Sequence, residues 1–361
     1  MKSKNLLVSV VVLTYNGEKT IGEALSSVFN QSYNNIEVIV VDNASEDGTV
    51  RIISQFYGEV GPPREVRPPK IEIIRNRKNI GFAGHNVGIE NSKGEYVLCM
   101  NQDVVLDKDF ITEAVKVFEQ DEKIGAIQPK MKNKNDKTRI DSTGHVIFKS
   151  RRMVDRGQGE EDVGQYEQIE EVFGNNGAVA FFRKACLEDV KIQVPSSKFS
   201  AKGGSAPGGK VSSSEYYDPD FFMYKEDVDL SWRIRLYGWK IMYCPKAIVY
   251  TDRTSKPISG KAGVVQVIKT RKKQKQYVQQ LSFKNHRLNL IKNDLLWLFL
   301  KHLPWILPRE IGAWMYVLFF EPRTWPAIAE LFRQMPRAWK KRKIIMAKKR
   351  VGAREIEKWF V

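Results

Sequence analysis

Between residues 8 and 118, short continuous apolar runs alternate with stretches of helical periodicity, and this alternation restricts the fold more than any other feature of the sequence. Val8 to Leu13 is a β-branched run interrupted only by Ser9. Ile36 to Val41, Ile71 to Arg75 and Glu95 to Met100 read as three further strands. Thr20-Ile-Gly-Glu23 has capping-box spacing and predicts a helix through about Phe29. Ser45-Glu-Asp-Gly-Thr49 offers a cap and an acidic first turn for a helix through about Tyr57. Phe82 to Glu90 predicts a third helix, and Asp109 caps a fourth through Phe118. Strands this apolar need cover on both faces, and helices returning between them supply it. The expectation is an α/β fold with a Rossmann-like, mostly parallel sheet covered by helices. In such sheets ligands bind at the carboxyl ends of the strands.

The opening Met1-Lys-Ser-Lys and Leu6 to Leu13 superficially resemble a signal peptide. The apolar run is short, contains Ser9, and continues into Thr14-Tyr-Asn16 rather than a small-residue cleavage site, so it reads as the first strand. Beyond residue 125 the pattern is mixed. Glu160 to Asp162 and Glu167 to Glu171 read as a solvated acidic loop, and Pro195 to Ser214 as a Ser/Gly/Lys-rich mobile loop. Phe221 to Tyr237 predicts a helix, with Lys240 to Cys244 and Ala247 to Tyr250 as short strands. Cys99, Cys186 and Cys244 are far apart and match neither a disulfide framework nor a zinc site.

The strand ends carry the polar chemistry. The first ends in Thr14-Tyr15-Asn16, the second in Asp42-Asn43, and the fourth in Asn101-Gln102-Asp103. The third is followed by Asn79-Ile-Gly-Phe-Ala-Gly84-His-Asn86. A carboxylate at a strand end can accept hydrogen bonds from a nucleobase or ribose, and another can ligate a divalent cation that neutralises a diphosphate. Gly81 and Gly84 would let backbone approach a ligand closely. Each group alone is an ordinary turn former. Four aligned on one sheet edge describe a nucleotide-like site.

These residues also carry a resemblance. Val8 to Asn16, Val41 to Thr49, Asn79 to Gly88 and Phe222-Met-Tyr-Lys-Glu-Asp-Val-Asp-Leu230 resemble the family 2 glycosyltransferases, rhamnosyltransferase-like members in particular, across roughly residues 6–255. The resemblance implies a GT-A fold, an inverting mechanism and a divalent metal, Mn²⁺ or Mg²⁺. It implies that Thr14 and Asn16 line the nucleotide pocket and that Asp42 contacts base or ribose. Tyr15, Asn43, Asn79, Gly84, Asn86, Asn101 and Gln102 complete the expected donor site. Asn101-Gln102-Asp103 stands where the family has Asp-x-Asp; with Asn first, Asp103 is left as the expected metal ligand. Asp227 is the expected general base, because an inverting transfer needs a carboxylate to deprotonate the acceptor hydroxyl. Glu226, Gly174, Asn175 and Asn176 are expected on the acceptor side. Many members carry a metal-assisting His after the strand ending near Tyr250; Thr251-Asp252 stands there, so Asp252 substitutes or the ligand is absent. His85, His145, His286 and His302 show no ligand spacing. Trp232, Arg233 and Arg235 follow Asp227 on the same helix, with one arginine either facing phosphate or at the surface.

The charge is divided sharply. Residues 251–361 hold 25 Lys and Arg against 7 Asp and Glu, whereas residues 1–250 hold 34 against 35. The chain is therefore read as a catalytic domain over 1–255 and a basic amphipathic helical region over 256–361. Both nucleic acid and an anionic membrane attract such a region. Trp297, Phe299, Trp305, Trp314, Tyr316, Phe319 and Phe320 interleave with its basic residues as in interfacial helices, and no nucleic-acid motif accompanies them. The alternative is that the aromatics pack on the catalytic domain. Leu295 to Leu300 and Ile311 to Phe320 are each too short to span a bilayer. The sum is an expected enzyme of cell-envelope polysaccharide synthesis. It would be cytoplasmic and peripheral on the inner face of the membrane, moving a sugar from a nucleotide-sugar to a lipid-linked or cell-surface glycan. A non-catalytic nucleotide- or glycan-binding module and a basic nucleic-acid-binding protein are the competing classes.

Overall fold

The computed structural model describes residues 5–56, 71–193, 214–252 and 264–361. Its first half follows the alternation closely: β1 (Val8–Thr14), α1 (Ile21–Phe29), β2 (Ile36–Asp42), α2 (Thr49–Gln55), β3 (Ile71–Arg75), α3 (Gly84–Asn91), β4 (Tyr96–Asn101), β5 (Val105–Leu106) and α4 (Phe110–Phe118). Next come β6 (Ile124–Asn133), β7 (Ile140–Ser142), β8 (His145–Ile147), β9 (Met153–Asp155), β10 (Glu170–Glu171), β11 (Val179–Arg183), α5 (Lys184–Val190) and β12 (Ile192–Gln193). β13 (Ser214–Glu215), α6 (Glu226–Leu236) and β14 (Lys240–Thr251) lead into the C-terminal helices.

The large sheet runs β10-β14-β6-β11-β4-β1-β2-β3. β4, β1, β2 and β3 are parallel neighbours, while β11 is inserted antiparallel between β4 and β6. Every residue of β1 is buried, and its two faces enter two different cores. Val8, Val10 and Val12 enter the core shared with α1 and α4, whereas Val11 and Leu13 pack against α3 on the other face. That two-sided burial is why the run shows no polar alternation.

Three local expectations change. Ser45 does not cap α2, which starts at Thr49; its hydroxyl accepts the Asn16 N–H at 2.9 Å instead. The helix expected from Phe221 begins only at Glu226, because Phe222, Tyr224 and Lys225 adopt positive φ of 59°, 68° and 73°. The two short strands after Lys240 are one strand, β14, with register shifts around Cys244 and Ile248. Residues 195–213 of the expected Ser/Gly-rich loop lie outside the described residues.

The remaining helices are α7 (Val264–Lys272), α8 (Gln276–Asn293), α9 (Leu296–Lys301), α10 (Leu303–Phe320), α11 (Trp325–Lys348) and α12 (Ala353–Glu357). Part of the basic surplus turns inward. Lys292 is buried and bonds Asp218 at 2.5 Å and Asp229 at 2.7 Å, and Lys341 bonds Asp218 at 2.6 Å. Leu298, Ile345, Ile356 and Phe360 join the same apolar cluster as Trp232 and Phe182. Charge pairing and apolar burial thus seat these helices on the sheet. Among the described residues no helix is long and apolar enough to cross a membrane.

Candidate active site

The parallel strands bring their polar ends together at one edge. Thr14 pairs in register with Asp42, and Leu13 with Asn101. Thr14 Oγ1 donates to Gln102 Oε1 at 2.5 Å, and the same oxygen accepts the Tyr15 N–H at 2.8 Å. Gln102 therefore ties the β1 turn to the β4 turn. Asn16, at φ 48°, is exposed, and its Oδ1 accepts the Glu46 N–H at 2.9 Å. Tyr15 is exposed, while Asn101, Gln102 and Asp103 are half-buried.

Other expected donor residues brace this edge. Asp42 is fully buried, accepting the Ser45 N–H at 3.2 Å and the Arg75 Nε–H at 3.2 Å. Asn43 Nδ2 donates to the Gly81 carbonyl at 3.0 Å, and Asn79 Oδ1 accepts the Gly81 N–H at 2.8 Å. Asn86 grips the backbone of Tyr217 from both ends of its amide, at 2.7 and 2.8 Å. At Gly84, a Cβ would lie 2.4 Å from Leu13, so the missing side chain makes room for packing of α3 on β1. Gly81, at φ 65°, makes room for the Phe222 carbonyl. The space both glycines leave is taken by the protein itself.

A cleft of about 1070 Å³ opens beside this edge. Asn101 lines it, together with His145, Asp155, Asn176, Glu226 and Asp227. Asp227 lies in the first turn of α6; its Oδ2 accepts the Gly177 N–H at 3.0 Å and its Oδ1 the Val228 N–H at 2.7 Å. Glu226 is buried, which pushes its carboxyl well above the usual range, and the charge of Asp227 adds to that rise. Both effects favour the protonated form of Glu226. Gly174 accepts the His145 N–H, and Asn175 exchanges bonds with Ser231. Asn176 donates to Asp155 at 2.9 Å. All three are buried, and of them Asn176 lines the cleft.

Sequence reasoning passed over several groups. His145, set aside for want of ligand spacing, has Nε2 3.6 Å from Asp227 and 3.7 Å from Asp155. It arrives on the hairpin of β8 and β9, far from Asp227 in sequence, so only three-dimensional pairing reveals it. The positive-φ loop before Asp227 is held by α8: Asn285 Nδ2 donates to the carbonyls of Phe221, Met223 and Tyr224 at 2.9, 2.9 and 2.7 Å, and Asn289 donates to Lys225 at 2.9 Å. Such backbone is costly and persists only where neighbours over-determine it. Lys269, Lys273 and Lys275 also line the cleft, giving its outer wall a positive character. Neither arginine of α6 faces it: Arg233 is buried against Asp229 and Arg235 against Glu171, a correction to the phosphate-facing and surface readings alike.

For a divalent cation, no three His, Cys, Asp or Glu side chains converge among the described residues. Asp103 stands at the strand edge. Tyr250 of β14 pairs with Val105, and Asp252 and Asp103 each lie two residues beyond that pair in the same direction. This set fits a cation shared with substrate phosphates, as Mg²⁺ is held by one or two carboxylates, rather than a closed protein cage.

A model of the family described as Glycosyl transferase family 2 matches residues 9–190. The poly-β-1,6-N-acetyl-D-glucosamine synthase of Staphylococcus epidermidis is 26% identical over 248 residues, which is 67% of this chain and 49% of that protein. The chain thus spans about half the length of that curated relative. An uncharacterized glycosyltransferase of Haemophilus influenzae is 33% identical over 122 residues, covering 34% of this chain and 35% of its own. Among solved structures, residues 1–349 of S. aureus TarS with UDP-GlcNAc superpose at a TM-score of 0.53 and 18% identity, covering 94% of this chain and 87% of that one. GalNAc-T7 with UDP, GalNAc and Mn²⁺ does so at 0.53 and 14%, covering 80% and 48%. At these identities the likeness concerns the fold, which is GT-A.

Proposed function

The chain belongs to glycosyl transferase family 2, and on that premise we propose that it moves a sugar, with inversion, from a nucleotide-sugar to a hydroxyl of a lipid-linked glycan acceptor. The carrying observation is the placement of Asp227, fixed by two main-chain N–H groups in a cleft that reaches Asn101 at the donor edge. Tyr15, Asn16, Asn101, Gln102 and Asp103 meet the nucleotide. Thr14, Asp42, Asn43, Asn79, Gly84 and Asn86 shape the loops that present them.

Asp227 accepts the proton of the acceptor hydroxyl as its oxygen attacks the anomeric carbon. The bond from that carbon to the diphosphate breaks, and its electron pair leaves with the nucleoside diphosphate. Glu226, Gly174, Asn175 and Asn176 hold the acceptor side. A divalent cation held by Asp103, with Asp252 as second carboxylate, would stabilise negative charge on the diphosphate. The lysines of the outer wall favour a phosphorylated acceptor. At the membrane side, thirteen of the nineteen exposed large hydrophobics among the described residues lie between Leu296 and Trp339, interspersed with basic residues. This pattern supports peripheral docking on an anionic bilayer.

The test is a thermal-shift screen of UDP-, dTDP- and GDP-sugars with Mn²⁺, followed by transfer assays of Asp227→Asn. The variant should keep the donor-induced shift and lose transfer. Retained transfer removes Asp227 as the base, and no shift with any donor removes the glycosyl-transfer reading.

A further inference from the structure

Helix α7 stands between the catalytic cleft and the turn that joins α10 to α11. Lys269 and Thr270 of α7, and Lys273 just beyond it, line the cleft. Arg271 reaches the turn instead. Its Nε donates to Glu321 at 3.0 Å and its Nη2 to the same carboxylate at 2.6 Å. Two residues apart, Lys269 and Arg271 are separated by about 200° around an α-helix, so one faces the cleft while the other faces away.

Glu321 is buried at the end of α10 and also accepts the Thr324 hydroxyl at 2.8 Å. Arg271 exchanges two further bonds with Gln279 of α8: its Nη2 donates to the Gln279 carbonyl at 3.1 Å, and Gln279 Nε2 donates to the Arg271 carbonyl at 2.7 Å. None of the described side chains of α7 belongs to the apolar clusters of the protein. Polar bonds around Arg271 therefore fasten this helix, and an element with so little apolar packing opens at low cost.

The turn itself is apolar and exposed: Phe319, Phe320 and Trp325 are 71%, 74% and 52% exposed. Trp325 Nε1 donates to the Val317 carbonyl at 3.3 Å, so its polar atom is met within the protein while its ring stands out. The four carboxylates between Val264 and Lys348 are all in ion pairs: Asp294 with Arg151, Glu310 with Arg287, Glu321 with Arg271 and Glu330 with Arg333. Lys272, Lys275 and Arg323, beside the Arg271 contacts, are exposed and have no carboxylate within ion-pair distance among the described residues. Exposed aromatic rings among uncompensated cations suit an anionic bilayer. A second copy docked about a two-fold axis would set these cations against themselves.

We propose that the α10–α11 turn is where the protein meets an anionic bilayer, and that the Arg271–Glu321 pair passes this contact to the catalytic cleft. The proposal rests on the glycosyl-transfer reading and adds regulation to the same site. Burying Phe319, Phe320 and Trp325 among the headgroups restrains the turn, Glu321 with it, and through Arg271 the helix whose other side carries the cleft lysines. The bilayer thus favours the state in which the cleft wall is ordered, at the place where a bilayer-borne acceptor is met.

The experiment uses the full chain with phosphatidylglycerol vesicles, and phosphatidylcholine vesicles as comparator, read by co-sedimentation and amide hydrogen exchange. Phosphatidylglycerol vesicles should bind and should slow exchange at residues 319–325 and 268–275. The slowing should be at least about 5-fold, the lower end of ordinary coupling between sites. Phosphatidylcholine should do neither. Arg271→Met and Glu321→Gln, which break the pair from either side, should keep vesicle binding and slowing at the turn while losing the slowing over 268–275. Phe319→Ser/Phe320→Ser should lose all three effects. Slowing over 268–275 that persists in both pair variants overturns the coupling. Vesicle binding unchanged in Phe319→Ser/Phe320→Ser, or equal binding to phosphatidylcholine, overturns the docking surface. So does slowing at the turn that grows with protein concentration without vesicles, which would assign the face to a second copy. The donor-induced thermal shift is measured without vesicles, so the glycosyl-transfer reading stands or fails separately.

Discussion

Nε2 of His145 lies 3.6 Å from Oδ2 of Asp227, and Oδ1 of Asp155 is 3.7 Å from the same nitrogen. The ring is buried on β8, its main chain fixed by the bond from His145 N–H to the Gly174 carbonyl. His145 is thereby a positioning residue for the base: a small shift closes its N–H onto one carboxylate or the other. His145→Gln should lower kcat on the order of 10- to 100-fold, less than the roughly 10²- to 10⁴-fold of a direct acid or base because it acts through Asp227, and change the donor KM little. Steady-state kinetics with varied donor checks the split. An unchanged kcat would remove His145 from the reaction.

Asn285 fastens three carbonyls of the loop whose backbone is left-handed at Phe222, Tyr224 and Lys225. Asn285→Ala should cost about 1–3 kcal/mol of stability, because buried carbonyls lose their donor. It should also lower transfer, since Glu226 and Asp227 follow that loop directly. Urea unfolding and transfer assays on the same preparation read the two effects.

Burial lowers the His85 pKa to about 3, against a smaller opposing contribution from Asn101. Its folded pKa is depressed from 6.5, so below that value the unfolded chain binds a proton the native state refuses. Stability from this group is complete above pH 6.5 and is lost as pH falls, by about 2 kcal/mol between pH 6.5 and 5. The ring packs between Phe82 and Tyr217 at centroid distances of 5.3 and 5.6 Å, an environment that accepts phenylalanine. His85→Phe should therefore flatten the acid side of the Tm–pH curve. A slope identical to that of the parent would contradict the assignment.

If Asp103 and Asp252 share a cation with the donor diphosphate, Mn²⁺ should strengthen donor binding in the parent and not in Asp103→Ala. Asp252→Ala should retain a weakened response. Isothermal titration with and without EDTA measures both, and equal donor affinity in all conditions would exclude metal participation at these residues.

The sheet half of the molecule was legible because two-sided burial forces a sequence-local signature. Val8 to Leu13, Ile36 to Val41 and Ile71 to Arg75 each carry their own cover requirement, and Ile71–Arg75 came out with the boundaries the run suggested. Deviations fell where a side chain had a distant partner. Ser45 left its cap for Asn16, and the helix after Phe221 started late because Asn285 and Asn289 hold the preceding carbonyls.

The sequence by itself determined that polar strand ends would share one edge, because parallel strands of matched length must place their carboxyl ends together. It also marked Asp227, through the resemblance of Phe222 to Leu230 to the family 2 glycosyltransferases and the need of an inverting transfer for a base. Only the tertiary structure decided what stands around that carboxylate: His145 and Asp155 come from one hairpin and Gly177 from another segment, at separations no periodicity records. The basic C-terminal residues show the same division. Composition gave their charge, but pairing with Asp218 and Asp229 turned Lys292 and Lys341 inward, while Arg342 donates to the Ile291 carbonyl and lies over the Trp339 ring. Which cations are neutralised depends on which carboxylates the fold delivers, and that is a property of packing.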